Sequence, residues 1–375
     1  MTPESKASEP SARPPRIWLV TGDKLGDNAQ VEIIAAALGW PFERRQLYFL
    51  APYVLGKPPF KASLYHLDTS RCAALEPPWP DLVITIGRRP AMAALWIREQ
   101  SGGHTQIVLL GRPKRWLEKF ALVIATPQYL LPERPNVLPI DLPLMRSNID
   151  AVTAAADAWQ SRLAALPRPL IAVLVGGQTK PFVFDAAVAA QLLAQTARVA
   201  AETGGTLYIT TSRRTPPAVV ETLQAGLPPG AILYRWQAND TANPYLALLG
   251  LADRFIVSGD SISMLVEVAR LGKPLAIFPL PYKLAMVERL RNALTRLIQP
   301  GAAGRRAPLQ LLGDGLYRLG LIGYSRDLTA VHELLIERGL AVRLGDPFPP
   351  PGPPLPDELP RVVARIKALL PDAGS

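Results

Sequence analysis

A chain of 375 residues, 49% hydrophobic and 19% charged, has length for two globular cores and is too apolar for a disordered or fibrous protein. A net charge of +10 suits anionic lipid or phosphorylated small molecules, while 7% aromatics, dispersed basic residues and no recognition motif argue against nucleic acid. No apolar run reaches the roughly 18–20 residues of a membrane span, and the polar start from Met1 to Arg16 lacks a secretory apolar stretch. A cytoplasmic protein, able to lie peripherally at the inner membrane, is therefore expected. The lone Cys72 permits no internal disulfide, and His66, His104 and His332 lack ligand spacing, so no metal is expected.

Residues 1–16 read as a disordered tail. The first apolar run, Ile17 to Val20, ends in Thr21-Gly22-Asp23 and leads into helical spacing from Asn28 to Leu38. Asp81 to Ile86 repeats that plan, with Gly87 at its end and an Ala-rich helix from Pro90 to Arg98. Gln106 to Leu110 and Leu122 to Ala125 read as further buried strands, the pattern of parallel βαβ units. Asp141 to Asn148 reads as an interdomain connection, followed by a helix from Ile149 to Leu166.

The pattern then restarts. Strands are expected at Leu170 to Val175, Thr206 to Thr210, Ile232 to Tyr234, Arg254 to Val257 and Leu275 to Phe278. Helices are expected at Phe184 to Thr203, Pro216 to Ala225, Pro244 to Leu251 and Ser263 to Leu271. Pro347 to Pro356 is proline-rich, and Asp357 to Leu370 has the spacing of a terminal helix. The expected organisation is an N-terminal α/β domain over 17–148, a connecting helix over 149–167, a C-terminal α/β domain over 168–346 and a tail over 347–375.

Ligands of an open parallel sheet bind beyond the carboxyl ends of its strands, so the loops after each strand carry the chemistry. After the strand at 254–257 comes Ser258-Gly259-Asp260-Ser261-Ile262-Ser263, opening a helix that carries Glu267. Gly259 permits close backbone approach, and Ser261 and Ser263 place hydroxyls where helix amides attract a diphosphate. Glu267, four residues after Ser263, shares its helix face and suits ribose hydroxyls. The alternative is simple capping by Asp260 or Ser261 with Glu267 a solvated acid. Ser212, Arg213 and Arg214 suit phosphate through charge-assisted bonds, as does Lys180 after Gly176-Gly177; the alternatives are solvated or glycine-rich turns.

The loop after the first strand, Gly22 to Gln30, is different. Asp23 and Asp27 would repel a phosphate, and they suit a hydroxylated acceptor or the general base that takes its proton. Asp27 could equally serve only as a helix cap. Gly22, Gly26, Gln30, Arg88 and Arg89 complete the candidate acceptor side; the arginines suit an anionic acceptor or membrane, or are solvated turns.

Thr21 to Gln30, Leu174-Val175-Gly176-Gly177, Thr211 to Thr215, Gly259 to Met264 and Arg326-Asp327-Leu328 occur in this order. Together, across Ile17 to Leu344, they resemble the ELM1-like family, named for a plant mitochondrial fission protein. That family is similar in fold to GT-B glycosyltransferases. The resemblance implies two Rossmann-like α/β domains with a cleft between them, diphosphate at Ser261 and Ser263, and ribose at Glu267. Gly176-Gly177-Gln178 matches the Gly-Gly-Ser-type loop of such enzymes only in part. The family name implies no reaction.

The expectation is a metal-independent glycosyltransferase without cofactor, taking a nucleotide-sugar donor in its C-terminal domain and a lipid or envelope glycan acceptor in its N-terminal domain. Asp23 or Asp27 would be the base, and Lys180, Arg213 and Arg214 would stabilise the leaving diphosphate. A non-catalytic protein acting at a membrane surface or through partners is the rival. A nucleotide-sugar epimerase ranks third, since no set of acids with a histidine is evident.

Overall fold

The computed structural model describes residues 13–54, 58–145, 148–179, 181–282, 315–317, 323, 326–352 and 355–370. Two compact units divide the chain. The first comprises Met1–Ile140, Leu297–Ser325 and Asp357–Ser375; the second comprises Asp141–Arg296 and Arg326–Pro356.

The first unit holds β1 (Ile17–Thr21), α1 (Leu25–Leu38), β2 (Phe42–Gln46), α2 (Ala51–Val54), β3 (Leu82–Ile86), α3 (Arg88–Gln100), β4 (Gln106–Leu110), β5 (Leu122–Ala125) and β6 (Val137–Pro139). Its strands form one parallel sheet in the order β2-β1-β3-β4-β5-β6. β1, β5 and most of β3 are buried, which explains their continuous apolar runs. The edge strand β2, Phe-Glu-Arg-Arg-Gln, has no such run, because one side of it faces water.

The second unit begins with α4 (Ile149–Ala164), capped by the Asn148 side chain on the Ala151 amide. It continues with β7 (Leu170–Val175), α5 (Ala186–Thr203), β8 (Thr206–Thr211), α6 (Pro217–Ala225), β9 (Ile232–Tyr234), α7 (Tyr245–Leu251), β10 (Arg254–Ser258), α8 (Ile262–Arg270), β11 (Leu275–Phe278), α9 (Ala330–Glu337) and β12 (Val342–Arg343). The strands again form a parallel sheet, ordered β12-β11-β10-β7-β8-β9. Alternate residues of β7 face opposite cores. Leu170, Ala172 and Leu174 join residues of α4, α7 and α8, whereas Ile171, Val173 and Val175 join α5 and α6. The helix α4 is part of this second core through Val152 and Leu163.

The C-terminal α10 (Leu359–Lys367) returns to the first unit. Arg361 and Arg365 donate to the carbonyls of Pro139 and Pro135 at 2.9 and 2.7 Å, and Lys367 lies over the Trp40 ring. The chain is thus two Rossmann-like α/β units, the composition of a GT-B-like fold. No helix among the described residues is long and apolar enough to cross a membrane.

Candidate functional site

In the second sheet the chain runs outward from β7 to β8 and β9, then returns to the other side of β7 for β10, β11 and β12. The switch point therefore lies between β7 and β10, where the following helices leave on opposite faces and a crevice opens. The loops leaving β7, β8 and β10 meet there.

Asp260 ties them together. Its carboxylate accepts the Gly177 amide at 2.7 Å and the Ser258 hydroxyl at 2.8 Å, and Arg214 Nη2 stands 3.7 Å away. Ser258 Oγ in turn accepts the Gly176 amide at 2.8 Å. Ser212 Oγ and Thr215 Oγ1 donate to the Gly176 carbonyl at 2.9 and 2.5 Å, and Arg214 Nη1 donates to Thr179 Oγ1 at 2.6 Å. Asp260 is buried, and burial pushes its carboxyl up; the Gly177 amide, the Ser258 hydroxyl and Arg214 oppose that shift without cancelling it.

The glycines make room for these protein contacts. A Cβ on Gly176 would overlap the Asp260 carboxylate, and one on Gly177 would overlap the Arg214 backbone. On Gly259 it would come within 2.8 Å of His332 Cε1. The Gly259 amide donates to Phe278 O at 2.9 Å, and its carbonyl accepts His332 Nε2 at 2.7 Å. His332 is itself buried and stacked on Phe182, and burial lowers its pKa. Gly176, Gly177, Ser212, Arg214, Gly259 and Asp260 are thus the frame of the site.

The side chains of Ser261, Ser263 and Arg213 take no part in this frame. Ser261 begins α8 without a capping side-chain bond, and its Oγ lies 3.5 Å from that of Ser263. Neither Asp260 nor Ser261 caps α8 in the manner of the simple-cap alternative. Among the described residues the amides of Ile262, Ser263 and Met264 have no acceptor, so the positive end of the helix is unspent. Arg213 is exposed and makes no ion pair or hydrogen bond among the described residues. Glu267 is half-buried and accepts the Tyr245 phenol at 2.5 Å. Burial, with the charge of Glu267, raises the Tyr245 pKa well above its ordinary value, so the phenol stays a donor. Lys180 lies outside the described residues.

The first unit repeats the device. Its switch point lies between β1 and β3, and Arg89 Nη2 bridges their exits by donating to Asp23 Oδ1 at 2.8 Å. Arg89 also donates to the carbonyls of Tyr53 and Val54 and lies 4.0 Å over the Phe49 ring. Arg88 donates to Pro58 O at 2.6 Å. Both arginines therefore brace the chain itself, and neither is the solvated turn weighed from sequence. The Gly22 carbonyl accepts Asn28 Nδ2 and Gln46 Nε2, while Gly26 is exposed and Gln30 half-exposed. Asp27, in the first turn of α1, has Lys24 Nζ at 3.8 Å. A cavity of about 410 Å³ near Glu99, Gly102 and Lys119 opens at the C-terminal end of α3, away from these loops and from the edge where ligands of such sheets bind.

Sequence reasoning missed His332, which sits in α9 far along the chain, and Trp236, which follows β9. The Trp236 amide donates to Thr211 Oγ1 at 2.9 Å, and 37% of its surface is exposed. An aromatic directly after a strand in the same sheet as the Arg213 loop was the available signal.

Solved structures similar to this chain include a UDP-GlcNAc 2-epimerase from Neisseria meningitidis, at 12% identity and TM-score 0.45, covering 86% of this chain and 99% of that one. Another is UGT89C1 from Arabidopsis thaliana, complexed with UDP-L-rhamnose, at 12% identity and TM-score 0.43, covering 88% and 94%. In sequence, the chain is 28% identical over 221 residues to the mitochondrial fission protein ELM1 of Arabidopsis thaliana, covering 53% of this chain and 51% of the relative. It thus spans about half the length of that plant protein. It is also 24% identical over 297 residues to the uncharacterized protein RP120 of Rickettsia prowazekii (strain Madrid E), covering 70% and 82%. The family described as Mitochondrial fission ELM1 matches residues 26–305, and the chain belongs to that family.

Proposed function

We propose that this protein is a glycosyltransferase that binds a nucleotide-sugar donor at the carboxyl edge of its second sheet and transfers the sugar to a lipid or envelope glycan acceptor. The observation that carries the reading is a braced frame around unspent donors. Asp260 joins three loops, while the first-turn amides of α8 and the Arg213 guanidinium are left without acceptors among the described residues. A diphosphate supplies the acceptors they lack. Ser261 and Ser263 would bind the same phosphates, Glu267 the ribose, and Arg213 the leaving group as its charge grows.

The acceptor is assigned to the loop after β1. Of the two candidate bases, Asp27 is less engaged, since Asp23 already serves Arg89. Titration of uridine, guanosine, cytidine and adenosine diphosphates into the protein tests the donor site. A nucleotide at a hundred times its dissociation constant should stabilise the fold by about 2.7 kcal/mol. Failure of all four to bind saturably would remove the transferase reading.

A second reading is a non-catalytic protein at an anionic membrane surface. It is favoured by Tyr48, Leu50, Val54 and Tyr65, exposed apolar residues of one segment, with Arg71 over the Tyr48 ring. Co-sedimentation with anionic but not neutral vesicles, without nucleotide binding, would support it over the first.

A further inference from the structure

We infer that Trp236 is the platform on which the nucleobase of the donor stacks, an assignment that rests on the donor site proposed above. Trp236 is 37% exposed, and its ring has no aromatic or cationic partner among the described residues. A large indole left open to water on a mobile loop would be unremarkable as a surface residue, but this one is held. Its amide donates to Thr211 Oγ1 at 2.9 Å, at the residue that precedes Ser212 and Arg213. The Tyr234 phenol donates to Asp240 Oδ2 at 2.8 Å across the turn, and Asn239 adopts a left-handed φ of 59° within it.

The far end of the same segment is also fixed to the site. It enters α7, where Tyr245 holds the Glu267 carboxylate. The residues from Arg235 to Pro244 therefore run from the rim beside Arg213 to the partner of the ribose-binding candidate. In sheet order, β9 lies three strands from β10, with β7 and β8 between. At ~4.8 Å per strand this is about 14 Å along the carboxyl edge. A diphosphate at the start of α8 thus leaves the nucleoside to extend past Arg213 toward the exit of β9, where Trp236 waits. Every base presents a π-face, so such a platform adds affinity with little base preference.

The test uses the full chain and its Trp236→Ala and Trp236→Phe variants, titrated calorimetrically with uridine diphosphate, adenosine diphosphate and inorganic pyrophosphate. Trp236→Ala should weaken both nucleoside diphosphates roughly 5- to 150-fold. Trp236→Phe should recover most of that loss, pyrophosphate should be unaffected, and the thermal midpoint should not move. Wild-type nucleotide binding that Trp236→Ala leaves unchanged, or a loss shared equally by pyrophosphate, would overturn the platform and leave the donor site standing. Absence of nucleoside diphosphate binding in the wild type would overturn both.

Discussion

Asp260 accepts the amide of Gly177 at 2.7 Å, joining the exits of β10 and β7 at the point where the second sheet reverses its strand order. Asp23 and Arg89 join β1 and β3 in the same way at 2.8 Å in the first sheet. The crevice at such a switch point is where open α/β sheets take ligands. Here a carboxylate bridges it in each unit. In the second unit the first-turn amides of α8 and Arg213 are donors without a partner among the described residues.

Asp260 should accordingly behave as a structural residue. Asp260→Ala leaves the Gly177 amide and the Ser258 hydroxyl without their acceptor in a buried place. The cost should be about 1–3 kcal/mol. Asp260→Asn keeps one carbonyl oxygen for Gly177 and should cost less. Urea unfolding midpoints of the two variants check this, and an alanine variant as stable as the wild type would refute the bridging role.

Arg213 and Arg214 should separate cleanly although they are adjacent. Arg214 donates to Thr179 and faces Asp260, whereas Arg213 is exposed without a partner among the described residues. Arg214→Ala should lower the unfolding midpoint along with nucleotide affinity. Arg213→Ala should leave the midpoint unchanged. If the protein is a transferase, it should lower turnover on the order of 100- to 1,000-fold, the typical cost of losing one preorganised donor to a developing charge. Parallel thermal melts and transfer assays would show this, and equal effects of both changes would contradict it.

How far the sequence carried these conclusions depended on the kind of residue. β4, β5, β7, β9 and β11 follow directly from short apolar runs, four of them in strands buried along nearly their whole length, where periodicity has no competitor. β2 escaped because an edge strand can carry Glu43, Arg44 and Arg45 and still pair in parallel with β1. The position of the second unit's loops after its strands was legible, but which of their residues contact one another was not. A glycine that admits a ligand and a glycine that admits a neighbouring carboxylate read identically in a sequence, and only the approach of Asp260 to Gly176 distinguishes them. Likewise Arg89 looked like free positive charge until Asp23 and two carbonyls claimed it.

Two buried histidines should make each unit sensitive to mild acid. Burial lowers the pKa of His66, against the opposing effect of the hydrogen bond that its Nε2 makes to the Arg89 carbonyl, and it lowers that of His332 in the same way. In the unfolded chain both take up a proton near pH 6.5. Between that value and their lower folded values, the unfolded state binds more protons, so stability rises with pH. Stability should therefore be lost as pH falls below about 6.5. His332→Gln should flatten that dependence for the unit containing α8, and His66→Gln for the other. Thermal melts between neutral and mildly acidic pH would measure the slopes. A wild type whose stability does not change over this range would contradict the argument.

The Glu267–Tyr245 pair decides whether Glu267 reads ribose or merely anchors α7. The phenol is buried and remains protonated, so it donates to the carboxylate throughout the physiological range. If anchoring were the whole role, Tyr245→Phe and Glu267→Gln would reduce stability alike and would affect all nucleotides equally. If Glu267 also accepts ribose hydroxyls, the loss must depend on those hydroxyls. The wild type should then bind a nucleoside diphosphate more tightly than its 2′,3′-dideoxy analogue, by a factor of about 10 to 150 for charge-assisted bonds worth roughly 1.5–3 kcal/mol. Glu267→Gln should bring the two ligands close to equal affinity. Tyr245→Phe should preserve most of the difference, because the Glu267 carboxylate itself is retained. Calorimetric titration of both ligands into all three proteins measures the preference directly. A wild type that binds the dideoxy analogue as tightly as the ribonucleotide would remove the ribose role of Glu267.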